Sequence, residues 1–183
     1  MGIDSREAAT ALSDIDSIVR RVRQSRIYDI SSLMLILWGA LTFAGYLVTY
    51  LLPRHAYYAW IAVYVAGTIG TIVISPLNRA RSGIRGFDVR MFAAFLLFIA
   101  FGMFCVWLGH FTPRQLGTFW PIYFMLFYTI VGLWVGWAFV AIGLSIIALT
   151  LIGYFFVGSA FDLWMAFVNG GGLIIGGLWM RRS

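Results

Sequence analysis

The stretch Asn169-Gly170-Gly171-Gly172-Leu173-Ile174-Ile175-Gly176-Gly177 comes nearest to a site by residue type. Five glycines fall in the eight residues 170–177, a poor helix by propensity inside an apolar run. Asn169, Gly172 and Gly176 recur at spacings of 3 and 4 and therefore share a helix face. Two readings follow. One is close helix packing through Gly-x-x-x-Gly, with Asn169 bonding across the contact and Gly132 and Gly136 offering a matching pair. The other is an interrupted helix whose backbone and Asn169 amide line a polar cavity near mid-membrane.

Aromatic side chains form the second candidate. Tyr46, Tyr50, Tyr57, Tyr58, Trp60, Tyr64, Trp107, Trp120, Tyr123, Tyr154 and Trp164 all fall toward the same ends of their apolar segments. Tryptophan and tyrosine gather at membrane–water interfaces, so a belt explains many of them. The opposite side has fewer tyrosines, and this imbalance favours a pocket for an apolar or cationic ligand. In that reading Trp60, Tyr64, Trp107, Trp120 and Tyr123 join Asn169 as ligand-binding residues, with Trp60, Trp107, Trp120 and Tyr123 converging inside the bundle.

Other chemistry is sparsely represented. All 13 basic residues are arginine, which excludes a lysine Schiff base or a pyridoxal site. The single cysteine, Cys105, cannot form an intrachain disulfide and reads as a small hydrophobe in a helix. His55 and His110 fall at the outer surface; they could sense pH or hold a metal with a third ligand, but exposed interfacial histidines are the plainer reading. No carboxylate or histidine falls deep in an apolar segment, as a proton-coupled transporter usually needs. Nor do an acid, a base and a nucleophile pair up there, so no enzyme, cofactor or metal centre is expected.

The elements that must position these residues are transmembrane helices. The chain is 62% hydrophobic and 11% charged, and a soluble fold of this size could not hide so much apolar surface. Six apolar segments approach the roughly 20 residues that cross a bilayer as a helix. They run from about Tyr28 to Leu52, Ala56 to Leu77, Val89 to Leu108, Gly117 to Val135, Trp137 to Val157 and Phe161 to Met180. Asp88 and Asp162 stand where they can cap spans 3 and 6. Trp60 followed by Gly67 in span 2 loosely echoes Trp137 followed by Gly143 in span 5, a hint of an inverted repeat.

Residues 1–26 precede the six-helix domain at 27–183. They lack the apolar core of a cleavable signal peptide, and they read as an amphipathic helix with Leu12, Ile15, Val19 and Val22 on one face. Asp4 and Glu7 suit a capping box. Arg20, Arg21, Arg23 and Arg26 would rest on anionic headgroups or help a cytoplasmic partner to dock. The net charge of +6 therefore belongs to topology and the lipid bilayer, with no nucleic acid as partner.

The chain resembles a family of small six-span bacterial inner-membrane proteins of unassigned function. The residues that carry the likeness are Ile15-Asp16-Ser17-Ile18 before span 1, Leu37-Trp38-Gly39 within it and Trp60 with Gly67 in span 2. The tight turn between spans 4 and 5 and a glycine-rich last span ending in Arg181-Arg182 complete it. That resemblance implies a sensing or accessory role beside a transcriptional regulator. Six-span substrate-binding subunits of vitamin transporters are similar in size, and Ala40 and Ala44 offer a small-residue contact loosely like theirs.

The expectation is therefore an all-α polytopic bundle of six helices with an amphipathic juxtamembrane helix. It would bind a small ligand from the outer side or the bilayer, as a sensor, accessory or transporter-like subunit without enzymatic activity. The competing expectation is a channel or facilitator for a small neutral solute, formed by a homo-oligomer. Orientation is the first test. The segments before span 1, between spans 2 and 3 and after span 6 hold five, four and two arginines, against Arg54 and Arg114 on the other side. Both termini should be cytoplasmic. A reporter fused at Ser183 should be active only as a cytoplasmic enzyme, and one near Gln115 only as a periplasmic one. Periplasmic activity at Ser183 would overturn the six-span topology.

Overall fold

A single helix, α1 (Ser5–Leu51), carries the chain from the juxtamembrane segment straight through the first span. In this computed structural model, which describes residues 5–82 and 89–182, the segment before Ile27 continues the span's helix without a break. Nothing between Ser5 and Ile27 interrupts it, since neither glycine nor proline occurs there. Leu12, Ile15, Val19 and Val22 are exposed on the extension, and Ile18 with them. Asp4 of the expected capping box and Asp88, the expected cap of span 3, lie outside the described residues.

After a short 3-10 turn at Pro53–His55 come α2 (Ala56–Ser82), α3 (Val89–Gly109), α4 (Pro113–Val135) and α5 (Trp137–Phe156). Span 6 is composite: α6 (Phe161–Met165), a π-helical stretch at Ala166–Gly171, and α7 (Gly172–Met180). No strand occurs among the described residues. Among the described residues six helices are long and apolar enough to cross a membrane, and the chain is a multi-pass, all-α membrane protein. Successive spans alternate in direction. Ile27, Gly136 and Met180 therefore share one side, here the near side, and His55, His110 and Gly158 share the far side.

The ends of the spans show why the chain turns where it does. Thr112, Pro113 and Gln115 open α4 with a reciprocal capping box: the Gln115 N–H donates to Thr112 Oγ1 at 3.4 Å and the Thr112 N–H to Gln115 Oε1 at 2.8 Å. Proline at the first helical position costs nothing there, because its missing N–H would have no partner. Gly136 alone separates α4 from α5, with φ 159° and ψ 152°. It is thus the hinge of the hairpin, not a packing position within span 4 as its spacing from Gly132 suggested. Gly132 does pack closely, but against Phe139 and Val140 of its own hairpin rather than against span 6. Asp162 does not cap span 6 either: the cap position is Ala160, and Asp162 sits inside the first turn.

The core is built on span 6, the most buried of the six, clasped between α1 and α5. A Cβ built on Gly170 would lie 2.5 Å from Phe43 Cα, and one on Gly39 would lie 2.9 Å from the Gly170 carbonyl oxygen. Backbone therefore meets backbone, which only glycine permits. About two turns further, the buried Ser32 hydroxyl donates to the Gly177 carbonyl at 2.7 Å. On the opposite face, Ile142 and Ile146 of α5 fill the space left by Gly176 and Gly172. Leu35, Met125, Phe139, Ile142, Ile146, Leu173 and Met180 close the near half of the core. α2 packs on α1, with Trp38 over Gly67 and its indole donating to Thr71 at 3.2 Å. α3 touches little beyond α4 and is the least buried span.

Glycines in one run thus differ sharply in what they tolerate. Around a Cβ on Gly171 nothing lies within 4 Å, whereas on Gly170 it meets the backbone of Phe43. Gly170→Ala should destabilise the protein by about 1–3 kcal/mol, the usual cost of overfilling a tight contact. Gly171→Ala should be neutral or stabilising by up to about 1 kcal/mol, as alanine favours a helix. Thermal unfolding of the two variants in detergent checks the contrast, and equal effects would contradict the clasp.

Candidate functional site

The aromatic residues expected to converge fall into separate seams. Trp60 is half-buried between α1 and α2, where its ring meets Tyr46 edge-on at 4.9 Å and its indole donates to Thr49 at 3.1 Å. Tyr64 lies beside Trp60, centroids 5.9 Å apart, and is 50% exposed. Trp120 and Tyr123 belong instead to the α3–α4 seam. Tyr123 stacks on Phe98 at 4.1 Å and donates its hydroxyl to the Phe98 carbonyl at 2.8 Å, while both side chains cover Gly102. Trp107 is 70% exposed beside Phe104. The expected convergence of Trp60, Trp107, Trp120 and Tyr123 is therefore not found. The reason is the helix arrangement: α2 leans on α1 and α3 on α4, so their rings fill two interfaces instead of one pocket.

A far-side cleft of about 210 Å³ opens elsewhere, lined by Phe111, Gln115, Thr118, Phe119 and Tyr154. None of the six expected ligand-binding residues lines it, and it is smaller than the roughly 300–1,000 Å³ of a drug-sized ligand site.

Beside that cleft, Arg114 does work the sequence reading missed. Its guanidinium donates to the carbonyls of Tyr154 and Val157 at 2.8 Å, Gly158 at 3.0 Å and Gly153 at 3.4 Å. The Tyr154, Val157 and Gly158 oxygens lie at the end of α5 without helical partners, the Gly153 oxygen also accepts from the Val157 N–H at 3.1 Å, and a cation there meets the negative end of the helix dipole. The same group lies over the rings of Phe161, at 4.9 Å, and Tyr154, at 5.6 Å. Tyr46 ties α1 to this corner by donating to the Gly117 carbonyl at 2.7 Å. One arginine thus joins α4, the end of α5 and the start of span 6. By count Arg114 read only as one of two outer charges, and nothing in its neighbours' types marks it as a clamp.

Asn169 is the expected residue that the structure places in the core. It is 6% exposed, near the middle of span 6, inside the π-helical stretch. There the Gly172 N–H reaches back to the carbonyls of Phe167 and Val168 as well as Asn169, so the turn is wider than an α-turn. Three consecutive glycines, Gly170, Gly171 and Gly172, make such widening cheap because no side chains resist it. Among the described residues the Asn169 amide makes no hydrogen bond. It faces protein and not lipid, as a mid-membrane amide must.

One further polar group was missed. Thr150 of α5 is fully buried, and its hydroxyl has no partner. Thr42, Thr49, Thr118 and Thr129 each donate to the carbonyl four residues back, at 2.8–2.9 Å. Threonine usually solves the problem this way in a span, so its occurrence there carries no signal.

The clamp makes a testable claim. Arg114→Gln removes charge-assisted bonds worth about 1.5–3 kcal/mol when made to a charged group. The variant should melt at lower temperature, and amides near Gly153–Gly158 should exchange faster with deuterium. Unchanged exchange there would show that α5 ends stably without it.

No family model, curated protein or solved structure matches the chain.

Proposed function

We propose that this chain is a bacterial inner-membrane protein, both termini cytoplasmic, that binds a small ligand from the outer side or the bilayer. Its role is non-enzymatic, as a sensor, accessory or transporter-like subunit, in keeping with the six-span family it resembles. One observation carries the reading. A buried amide with no hydrogen bond sits in a π-helical turn of the most central span. An unpaired amide in an apolar interior costs free energy, and π-turns inside helices recur at functional sites. A ligand that supplies the missing bonds turns that cost into affinity. The exposed stripe of Leu12, Ile15, Ile18, Val19 and Val22 on the α1 extension gives a cytoplasmic partner or a second copy a surface to engage.

The runner-up is an oligomeric channel or facilitator for a small neutral solute. α3 favours it: Phe92, Phe95, Leu96, Leu97, Phe101, Phe104, Trp107 and Leu108 are all exposed, far round the helix. A second copy would cover that surface as well as lipid does.

Ligand screening by thermal shift distinguishes these readings. Small neutral compounds should include some that raise the melting temperature of the wild-type protein and not of Asn169→Ala. Without ligand that substitution should cost no more than about 0.6 kcal/mol, a typical interhelical hydrogen bond in a membrane. Compounds that stabilise both proteins equally would remove Asn169 from the site.

A further inference from the structure

Thr150 and Asn169 stand at one level of the seam between α5 and span 6. The antiparallel register fixes this from both sides. Toward the near side, Gly176 meets Ile142 and Gly172 meets Ile146. Toward the far side, Trp164 covers Gly153 and its indole donates to the Leu149 carbonyl at 2.9 Å. One turn from Ile146 on α5 is Thr150, and one turn from Gly172 on span 6 is Val168–Asn169. Thr150, 0% exposed with a fully buried hydroxyl that has no partner, and Asn169, 6% exposed and without a side-chain hydrogen bond among the described residues, thus occupy the same depth.

We propose that Thr150 and Asn169 form one polar site across this seam, which takes a small uncharged molecule through a hydroxyl group. The inference rests on the reading of Asn169 as a ligand-binding residue and adds its partner and the ligand chemistry. An amide offers two donors and an acceptor, and a threonine hydroxyl one donor and an acceptor. A hydroxyl, which donates and accepts at once, satisfies both. Charge is disfavoured, because Ile146 and Val168, each within about a turn of the pair along its helix, are buried neutral side chains. Arg114 and Asp162 lie further toward the far side, where Arg114 is engaged by the end of α5. Size is limited by Ile146, already 3.3 Å from a Cβ built on Gly172. Gly171, with nothing within 4 Å of a built Cβ, and Phe167, 61% exposed, form the open side of the π-turn, away from Asn169. Water is the smallest such molecule and a polyol the next.

The sequence contains only two asparagines, Asn78 and Asn169. Selective ¹⁵N-asparagine labelling therefore yields two side-chain amide signals, which Asn78→Gln assigns. In liposomes, solid-state NMR should show the Asn169 amide receiving magnetisation from water, shifting on addition of glycerol, or both. Thr150→Val should abolish that response, and Thr150→Ser, which keeps the hydroxyl, should retain it. Transfer from water without a glycerol shift supports the shared site as a hydration site, and it counts against the ligand reading of the preceding section. A glycerol shift supports both. An Asn169 amide that responds to neither probe, or responds equally in Thr150→Val, overturns the proposal.

Discussion

Two backbones in direct contact hold this protein together. Gly39 of α1 lies against the Gly170 carbonyl, Gly170 against the Cα of Phe43, and Ser32 donates to the Gly177 carbonyl. Lipid tails are as apolar as leucine, so exclusion of water does not drive helices together inside a bilayer. Dispersion between close surfaces and bonds to backbone oxygens must do it. Glycine supplies both by letting the helix axes approach. Once span 6 is clasped to α1, its other face is free for Ile142 and Ile146 of α5, and α4 follows α5 through the Gly136 hinge. α2 and α3 are added on the outside, which is why they bury so little.

The same glycines set the limit on regularity. A run that permits backbone contact is also a run without side chains to stiffen the helix, and it relaxes into a π-turn at Ala166–Gly171. Irregular backbone at this depth is tolerated only where protein or a polar cavity surrounds it. Span 6 meets that condition because it is the most enclosed of the six. Of the two readings of this stretch, close packing holds for Gly170, Gly176 and Gly177, which meet α1 and α5, while around a Cβ on Gly171 nothing lies within 4 Å. Away from the centre, Arg114 secures the far-side corner by binding the unpaired carbonyls of α5.

The six spans were legible from hydropathy. Span 6 is bounded identically at Phe161 and Met180, and the others agree within about a turn at each end. Asn169 was legible too, because an amide amid glycines in an apolar run is an unusual combination. Tertiary detail was not. Gly132 and Gly136 have the spacing of a packing pair, yet one contacts its own hairpin and the other makes the turn. The aromatics were recognisable by type, but their distribution between two seams depends on which helix leans on which. Thr150 was invisible because only geometry reveals that its hydroxyl fails to bond within its own helix.

The central claim is that Asn169 points into protein while its neighbour Phe167 faces lipid. Single cysteines introduced across 165–175 in a Cys105→Ala background, labelled in native membranes with a lipid-soluble maleimide, test it most directly. Phe167→Cys and Ile175→Cys, at positions 61% and 69% exposed, should react quickly, and Met165→Cys and Asn169→Cys slowly. Reaction at Asn169→Cys as fast as at Phe167→Cys would contradict the account.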